Sequence, residues 1–452
     1  MKAKQRMTHM VIGLMLSLTS LSSFSAGKRT DAVLGPTVSY GVTMGNFATM
    51  INTGVALLDG DLWVWSYVYT GVAGNGHVTS SPYSYTHPSR VDFFTQKGLE
   101  IVTTAQGAHH IIAIDHNGDV WGWGRNYNNE ATGGICTPSG NANYMSTPCN
   151  VLSNKKVIKI VAGEYFSMAL SADGKVFTWG QNVFGQIANG STNAGRNNVY
   201  QIPQSAFSGE KIVNIGGGYE SGFAITESGL TYVWGSDEFG AYGNGTNTKN
   251  VSLPVLLGSD VNTKFRGQIE YICSTNHATH FLTSNGEVWG MGSKTALGQN
   301  CTLSSGPASC RDANTGSTSN GMSTNTLFVM DNIKEMGCYY GTVAAVTQEG
   351  ELYTWGTNYG ILYHMIYGSR PVLRNEYRGD MCKVILGKDR LLYANTEGEF
   401  YGVGYADYSP GNVFGSDGYK LAQWDDYQMN QRAMSTWRSY YGSSYNDVLC
   451  AN

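Results

Sequence analysis

Short stretches of alternating apolar and polar residues recur along the chain, and a glycine-containing turn precedes each of them. One copy reads Asp173-Gly174-Lys175, followed by the strand Val176-Phe177-Thr178-Trp179-Gly180. Glycine adopts the positive φ that a tight hairpin turn requires. The turn glycines are separated by 58, 56, 55, 57, 64 and 48 residues, and they are Gly60, Gly118, Gly174, Gly229, Gly286, Gly350 and Gly398. The pattern therefore predicts one β-hairpin in each of seven repeats.

The strand that enters each hairpin is apolar, as Ile111–Ile114 and Val343–Val346 show. Such strands are typical of sheets that are buried on both faces. A short sheet of this kind must stack on its neighbours, so the repeat predicts an all-β fold, a seven-bladed β-propeller of short antiparallel four-stranded blades. We expect a single such domain over residues 26–452, with loop inserts near 67–97 and 300–326.

Two motifs inside the repeat are similar to those of a known family of propellers. Trp179-Gly180-Gln181-Asn182-Val183-Phe184-Gly185-Gln186 and Gly107-Ala108-His109-His110-Ile111-Ile112-Ala113-Ile114 resemble the repeat of the regulator of chromosome condensation family of propellers. The resemblance extends over almost the whole chain after residue 26, and the motif histidine is kept at His110. Other repeats replace this histidine by Phe166, Ser221, Ala278 and Thr342. The resemblance implies an exported, bacterial-type member, a group that includes an inhibitor that caps β-lactamases.

Aromatic residues fall into two sets. One set recurs in register with the repeat, which favours packing between blades, and consists of Trp123, Trp179, Trp234 and Trp355. The other set lies outside the register, partly in loops, where binding residues concentrate on a rigid scaffold. These candidate partner-binding residues are Tyr67, Tyr69, Tyr83, Tyr85, Tyr339, Tyr340, Tyr405 and Tyr408.

The first 25 residues have the order of a secretory signal peptide. A basic start, Lys2–Arg6, is followed by the apolar run Met10–Leu16 and the small residues of Ser23–Ala26. The apolar run is shorter than the roughly 20 residues that a bilayer core requires. We therefore expect a secreted or periplasmic protein.

Eight cysteines remain after the predicted leader, and an even number in an exported chain favours disulfide bonds. Two pairs enclose short polar inserts, Cys136 with Cys149 and Cys301 with Cys310. For the other four we predict Cys273–Cys338 and Cys382–Cys450. Because connectivity cannot be deduced from sequence, these last two pairs are hypotheses.

The composition and the motifs exclude several classes of function. Only 14% of residues are charged and the net charge is −4, so no basic field exists to gather nucleic acid, and no later segment is apolar enough for membrane insertion. His277 and His280 would lie on opposite faces of a strand, and Asp115–Asp119 coincides with a hairpin turn. Gly216–Gly218 precedes a strand, so it is not a phosphate-binding loop. We expect no catalytic, cofactor-binding or metal-binding residues.

The leading hypothesis is therefore an exported binding module that is not an enzyme and that engages a protein partner through propeller rim loops. Such a module would serve as an adhesin, a surface component or an inhibitor. A glycan-binding, lectin-like propeller that uses the tyrosines outside the register is one alternative. A propeller hydrolase or lyase is the other, and it would require carboxylates or histidines that converge at the mouth of the central channel.

Overall fold

The computed structural model describes most of the repeat region. The described residues are 47–50, 53–58, 61–67, 71–77, 85–137, 143–237, 240–243, 250–275, 277–294, 296–298, 322–339, 341–356, 372–373, 381–386, 390–395 and 400–404. The predicted signal peptide, residues 1–25, lies outside them and stays a prediction.

The described strands form units of antiparallel neighbours, numbered here along the chain. Unit 1 contains β1 (Phe47–Met50), β2 (Thr53–Leu58), β3 (Asp61–Tyr67) and β4 (Tyr85–Arg90). Unit 2 contains β5 (Ile101–Gln106), β6 (His110–Asp115), β7 (Val120–Arg125) and β8 (Tyr144–Leu152). Unit 3 contains β9 (Val157–Ala162), β10 (Phe166–Ser171), β11 (Val176–Gly180) and β12 (Asn197–Gln201). Unit 4 contains β13 (Ile212–Gly218), β14 (Ser221–Thr226), β15 (Thr231–Gly235) and β16 (Val251–Leu256).

The remaining units follow the same plan. Unit 5 contains β17 (Ile269–Ser274), β18 (Ala278–Thr283), β19 (Val288–Ser293) and β20 (Met322–Met330). Unit 6 contains β21 (Ile333–Tyr339), β22 (Thr342–Thr347), β23 (Leu352–Gly356) and β24 (Val372–Leu373). Unit 7 contains β25 (Met381–Leu386), β26 (Arg390–Asn395) and β27 (Phe400–Gly404).

The units are arranged around a common axis. The first strands of successive units contact one another from β1 to β25, and β25 in turn contacts β1. Units 4 and 5 are joined in one sheet by a parallel pairing of β13 with β17. This is the predicted all-β propeller of four-stranded antiparallel blades. The predicted number of seven blades stays a prediction, because unit 7 has three described strands and residues 405–452 lie outside the described part.

Short helices lie in the connections between units. Helix α1 (Asp92–Gln96) follows unit 1, a 3-10 helix (Gln204–Phe207) follows unit 3, and α2 (Ser259–Lys264) follows unit 4. The predicted insert at 67–97 contains β4 and α1, whereas residues 300–321 of the second insert lie outside the described part.

The strand order gives the propeller two different faces. The hairpin face carries the turns between the second and third strands, such as 172–175, and the connections between units. The loop face carries the turns between the first and second strands, such as 163–165, and the longer loops between the third and fourth strands, such as the one that begins at 126. Side chains from loops of different units can therefore meet on the loop face.

The hairpin glycines have the predicted conformation. In Gly118, Gly174, Gly229, Gly286 and Gly350 the φ angle lies between 79° and 83°. Each turn is also closed by a side chain three residues before its glycine, whose oxygen accepts a hydrogen bond of 3.0–3.3 Å from the N–H that follows the glycine. These acceptors are Asp115, Ser171, Thr226, Thr283 and Thr347. Asp115 is thus a turn residue, as the sequence predicted.

The tryptophans in register pack between units, as predicted. Trp123, Trp179, Trp234 and Trp355 are completely buried. The indole N–H of Trp179 donates to the main-chain carbonyl of Glu130 in unit 2, at 3.0 Å, and that of Trp234 donates to the carbonyl of Gln186 in unit 3, at 2.9 Å. Trp179 and Trp234 therefore each fasten their own unit to a loop of the preceding one, whereas the Trp355 indole donates to the His280 ring on β18 of unit 5.

The core lies in the seams between units, where apolar residues of neighbouring sheets mix. One cluster combines Ile112 and Val151 of unit 2 with Phe177 and Trp179 of unit 3. In this region an aromatic ring packs directly against the backbone of a glycine. A Cβ atom at Gly163 would lie 1.9 Å from the Phe166 ring, and the His110 ring occupies the same position against Gly107 in unit 2. Only glycine fits beneath these rings.

Candidate protein-binding loop

The loop that joins β7 to β8 lies on the loop face and is held in place by its own polar groups. We call residues 126–137 the unit-2 loop. The side-chain oxygen of Asn126, which is buried, accepts hydrogen bonds of 3.1–3.2 Å from the main-chain N–H groups of Ala131 and Thr132 and from the Thr132 hydroxyl. Asn182 has the same role in unit 3, where it accepts from the Ile187 N–H at 3.0 Å. The asparagine of the repeat motif is thus a loop anchor.

Glu130 is the second anchor of the unit-2 loop. Its carboxylate is completely buried and accepts from Nη1 of Arg125 at 2.9 Å and from the N–H of Asn128 at 2.6 Å. Burial raises the pKa of Glu130 to about 7, although the Arg125 charge opposes this shift. The Glu130 main-chain carbonyl accepts bonds from Trp179 and from the Ser167 hydroxyl. One residue therefore connects the loop to both its own unit and the next one.

Two aromatic rings enclose the Arg125 guanidinium. Its carbon lies 4.0 Å from the ring centre of Tyr165 and 4.7 Å from that of Tyr127, distances typical of cation–π contacts. The hydroxyl groups of Tyr127 and Tyr144 are 3.0 Å apart. Burial, together with the neighbouring Glu164 charge, raises the pKa of Tyr165 to about 12. Arg125 and Tyr127 therefore have little rotational freedom.

A disulfide bond between Cys136 and Cys149 ties the end of the unit-2 loop to β8. The two residues are 13 positions apart, and the bond confirms the pairing predicted from the short insert that they enclose. A disulfide across a ring of this size contributes about 2–4 kcal/mol, chiefly by restricting the unfolded chain.

We expect the double variant Cys136→Ser with Cys149→Ser to unfold at a free energy lower by about 2–3 kcal/mol, because the unfolded chain gains the freedom that the bond removes. Urea unfolding of the oxidised protein and the variant measures this difference. Wild type and variant that have both been reduced before unfolding are the control, because reduction also breaks Cys273–Cys338 and the two proteins should then unfold alike. Equal unfolding curves for the oxidised wild type and the variant would contradict the expectation.

Two apolar side chains of this fixed loop point into solvent. Ile135 is 60% exposed and Tyr127 is 41% exposed, although Asn126, Glu130 and Cys136 hold the same segment in place. Scattered exposed apolar residues are common on protein surfaces. Here, however, two of them lie on one loop that is already ordered. A partner that binds such a loop does not have to offset the conformational entropy of ordering it.

Nearer the axis, a largely buried cluster joins units 2, 3, 4 and 6 on the loop face. The N–H of Ala108 donates to the carbonyl of Glu164, and the N–H of Glu164 donates to the carbonyl of Tyr219. Burial and a hydrogen bond to the Glu164 side chain raise the pKa of Tyr219. The Tyr339 ring lies 6.1 Å from that of Tyr219. The main-chain hydrogen bonds thus connect unit 2 to unit 3 and unit 3 to unit 4, and the ring contact connects units 4 and 6.

The structure places the predicted partner-binding tyrosines in different settings. Tyr339 is completely buried at the end of β21, so it is not the exposed rim-loop residue that was predicted. Its position outside the tryptophan register was misleading, because it packs on the inner strand. Tyr67 and Tyr85 are register partners of β3 and β4. The others, Tyr69, Tyr83, Tyr340, Tyr405 and Tyr408, lie outside the described residues.

Sequence reasoning missed Tyr127 and Ile135. Neither residue belongs to the predicted set of partner-binding tyrosines. The available signal was the position of Ile135 beside Cys136, as an apolar residue in an insert that a disulfide closes.

His110 and His280 are buried in the seams, where their role is structural. His110 is completely buried, and its Nε2 lies 2.9 Å from the Ser167 hydroxyl of the next unit. Burial lowers the pKa of His110 to about 3, so the ring is neutral at neutral pH. His280 is also buried and its Nε2 accepts a bond of 3.3 Å from the Trp355 indole. No group of three or more histidine, cysteine, aspartate or glutamate residues suited to a metal occurs among the described residues.

The second disulfide joins the inner strands of units 5 and 6. Cys273 and Cys338 are bonded, as the sequence analysis predicted. Cys301, Cys310 and Cys450 lie outside the described residues, as does the side chain of Cys382, so those two pairs stay predictions. Disulfides form and persist in oxidising environments. In the described part of the chain, no helix is long and apolar enough to cross a membrane.

Comparison with known proteins agrees with the repeat and the fold. Sequence profiles of the regulator of chromosome condensation (RCC1) repeat match residues 157–186 and 173–225, which lie in units 3 and 4. Together with the ring of antiparallel sheets, these matches define the class: the chain is a β-propeller that contains, at residues 157–225, repeats of the regulator of chromosome condensation type.

Individual relatives are more distant. The chain is 25% identical to the E3 ubiquitin-protein ligase HERC2 of Mus musculus over 232 residues, which cover 50% of this chain and 5% of HERC2. It is 31% identical to protein RCC1 of Candida albicans over 176 residues, or 36% of this chain and 37% of that protein. The structure of yeast RCC1 (Prp20) bound to Kap60 superposes with a TM-score of 0.59 at 19% identity, over 76% of this chain and 78% of that one. The chain thus spans well under two thirds of these two curated relatives.

Proposed function

We propose that the protein is an exported, non-enzymatic binding module whose loop face engages a protein partner. The unit-2 loop is the main contact, with Tyr127 and Ile135 as its apolar anchors. The predicted leader supports export, and the disulfides suit an oxidising compartment. The same module would act as an adhesin, a surface component or an inhibitor, depending on the partner.

The observation that carries this proposal is the exposure of Ile135 and Tyr127 on a loop that is otherwise fixed. A buried asparagine, a buried ion pair and a disulfide hold the segment, so presenting the two side chains costs little further order. Tyrosine and arginine are the residue types that most often dominate binding energy in protein interfaces. Here Arg125 lies directly beside Tyr127.

The similar proteins give independent support for a protein partner. Yeast RCC1, which has the same fold, has been solved in complex with the protein Kap60. A propeller of this family is therefore a suitable scaffold for protein binding. The partner of the present chain is a matter for experiment, since the likeness to yeast RCC1 concerns the fold alone.

Photo-crosslinking from the loop tests the proposal. A photoreactive amino acid at position 135 is expected to capture a protein in the native compartment, because this side chain faces the partner. The captured protein is then purified, and its affinity is measured for the wild type, Tyr127→Ala and Ile135→Ala. Each substitution is expected to weaken binding by roughly tenfold or more, as for central interface residues.

The matched control is position 102 of the same unit. Val102 is 45% exposed, similar to Tyr127, but it lies on β5 near the hairpin face. The proposal predicts no specific capture from position 102 and unchanged affinity for Val102→Ala. Two results would show that the unit-2 loop is not the contact. One is equal capture from positions 102 and 135, and the other is an affinity that neither Tyr127→Ala nor Ile135→Ala changes.

A further inference from the structure

A cavity of about 240 Å³ opens on the hairpin face, at the seam between units 5 and 6. Unit 5 contributes Glu270 of β17 and the hairpin 283–286, whereas unit 6 contributes residues 332–334 and Gln348. The cavity lies at the opposite end of the propeller from the unit-2 loop. A ligand in this cavity would therefore bind independently of the protein partner proposed above.

The cavity has an apolar floor and oppositely charged walls. Leu282 and Ile333 form its buried apolar part. Glu270 and Lys334 are half-buried on the two sides. Within the described part of the chain, neither of these charged side chains forms an ion pair or a side-chain hydrogen bond. A cation and an anion thus line one small cavity without neutralising each other.

Uncharged polar groups complete the lining. The side chains of Ser284, Asn285 and Gln348 are exposed at the rim, and none of them has a hydrogen-bond partner among the residues that the structure describes. Hydroxyl and amide groups can both donate and accept hydrogen bonds. The rim can therefore bind a polar substituent of either kind.

The walls are fixed by main-chain hydrogen bonds and by a covalent link. The N–H of Ile333 donates to the carbonyl of Gly286 at 2.9 Å, and the N–H of Ser284 donates to that of Gln268 at 2.8 Å. The Cys273–Cys338 disulfide joins β17 to β21, the same two strands that carry Glu270 and Lys334. The distance between the two charged walls is thus set by the fold before any ligand binds.

The size and charge of the cavity define its ligand. Pockets for drug-sized molecules have volumes of roughly 300–1,000 Å³, so this one accepts a smaller molecule. A sugar would find no aromatic ring to stack on among the lining residues. We propose that the cavity binds a free α-amino acid, with its ammonium group at Glu270 and its carboxylate at Lys334. A short side chain would face the hydroxyl and amide groups of the rim.

Titration of the full mature chain with L-serine, followed by ligand-observed NMR at low salt, tests this site. We expect saturable binding with a Kd of about 1 mM, because partly exposed ion pairs are individually weak. Ethanolamine lacks the carboxylate and 3-hydroxypropionate lacks the ammonium group. Each is expected to bind at least about tenfold more weakly than serine. Absence of saturable serine binding, or equal binding of the three compounds, would overturn the proposal.

Substitutions locate the binding on these two residues. Glu270→Gln and Lys334→Gln are each expected to weaken serine binding by about tenfold, whereas the exchange of Glu270→Lys with Lys334→Glu restores it with the ligand reversed. Lys211→Gln and Glu227→Gln are matched controls, because these exposed residues lie on the same face at the seam of units 3 and 4. Wild-type melting temperatures show that each variant is folded. Binding that survives both single substitutions would refute the assignment.

Discussion

Trp179→Ala is expected to lower the free energy of unfolding by about 3–5 kcal/mol, the range for removing a fully buried large aromatic side chain. The indole belongs to the apolar cluster between units 2 and 3, and no water reaches it. The substitution also leaves the Glu130 carbonyl with the Ser167 hydroxyl as its remaining described partner. The unit-2 loop then loses its link to β11, so the presentation of Tyr127 and Ile135 is weakened as well.

Urea unfolding, monitored by circular dichroism, measures the effect of Trp179→Ala. Trp179→Phe is the informative comparison, because it keeps most of the apolar volume and removes the N–H donor. We expect it to cost less than the alanine variant, by the contribution of the retained ring. A loss below about 1 kcal/mol for Trp179→Ala would mean that the seam is far less tightly packed than described.

His110→Phe is expected to protect the protein against acid. Burial, and secondarily the Arg125 charge, lowers the pKa of His110 from 6.5 to about 3 in the folded state. The neutral ring therefore contributes stability that is fully present above pH 6.5 and is lost as the pH falls toward 3. A shift of this size corresponds to roughly 4–5 kcal/mol, of which roughly 3 kcal/mol is lost by pH 4. Phenylalanine removes this dependence.

Phenylalanine is also acceptable in shape, because Phe166 packs against Gly163 as His110 packs against Gly107. Glu130 acts in the opposite direction: its raised pKa means that its contribution is fully present below pH 4.5 and is lost as the pH rises through about 7. It is present in both proteins, so the comparison isolates His110. His116→Phe, at an exposed turn position, is the control. If wild type and His110→Phe lose equal stability between pH 7.5 and pH 4, the explanation is wrong.

The sequence contained the repeat, the hairpins and the role of the register tryptophans. Glycine is strongly favoured at the positive φ of these turns, and a large ring fills the seam in units 2, 3, 4 and 6, so the letters recur visibly. The side chains that close the hairpins could not be found in this way. Asp115, Ser171 and Thr226 perform the same hydrogen bond, but a carboxylate and a hydroxyl serve equally well. The hydrogen bond is repeated in units 2 to 6, but the residue type that makes it varies, so no single residue type marks this position in the sequence.

The candidate site was harder to predict, because exposure depends on the fold around a residue. Tyr339 and Tyr127 both lie outside the tryptophan register. The first is buried at the end of an inner strand, and the second is exposed on a loop. A tyrosine has an apolar ring and a polar hydroxyl, so it is compatible with either a buried or an exposed location. The pocket with Glu270 and Lys334 was also invisible, because residues 64 positions apart meet there through the stacking of two units.

The hydrogen bonds of Trp179 and Trp234 allow the amino-acid sequence of the loop face to vary. Both bonds end on main-chain carbonyls, at Glu130 and Gln186, so the identity of the acceptor side chain is irrelevant to them. A loop that keeps its backbone path can therefore accept new side chains at its exposed positions without weakening the seam beneath it. Natural diversification, or a library randomised at positions 127 and 135, can thus alter what the propeller recognises while its assembly is preserved.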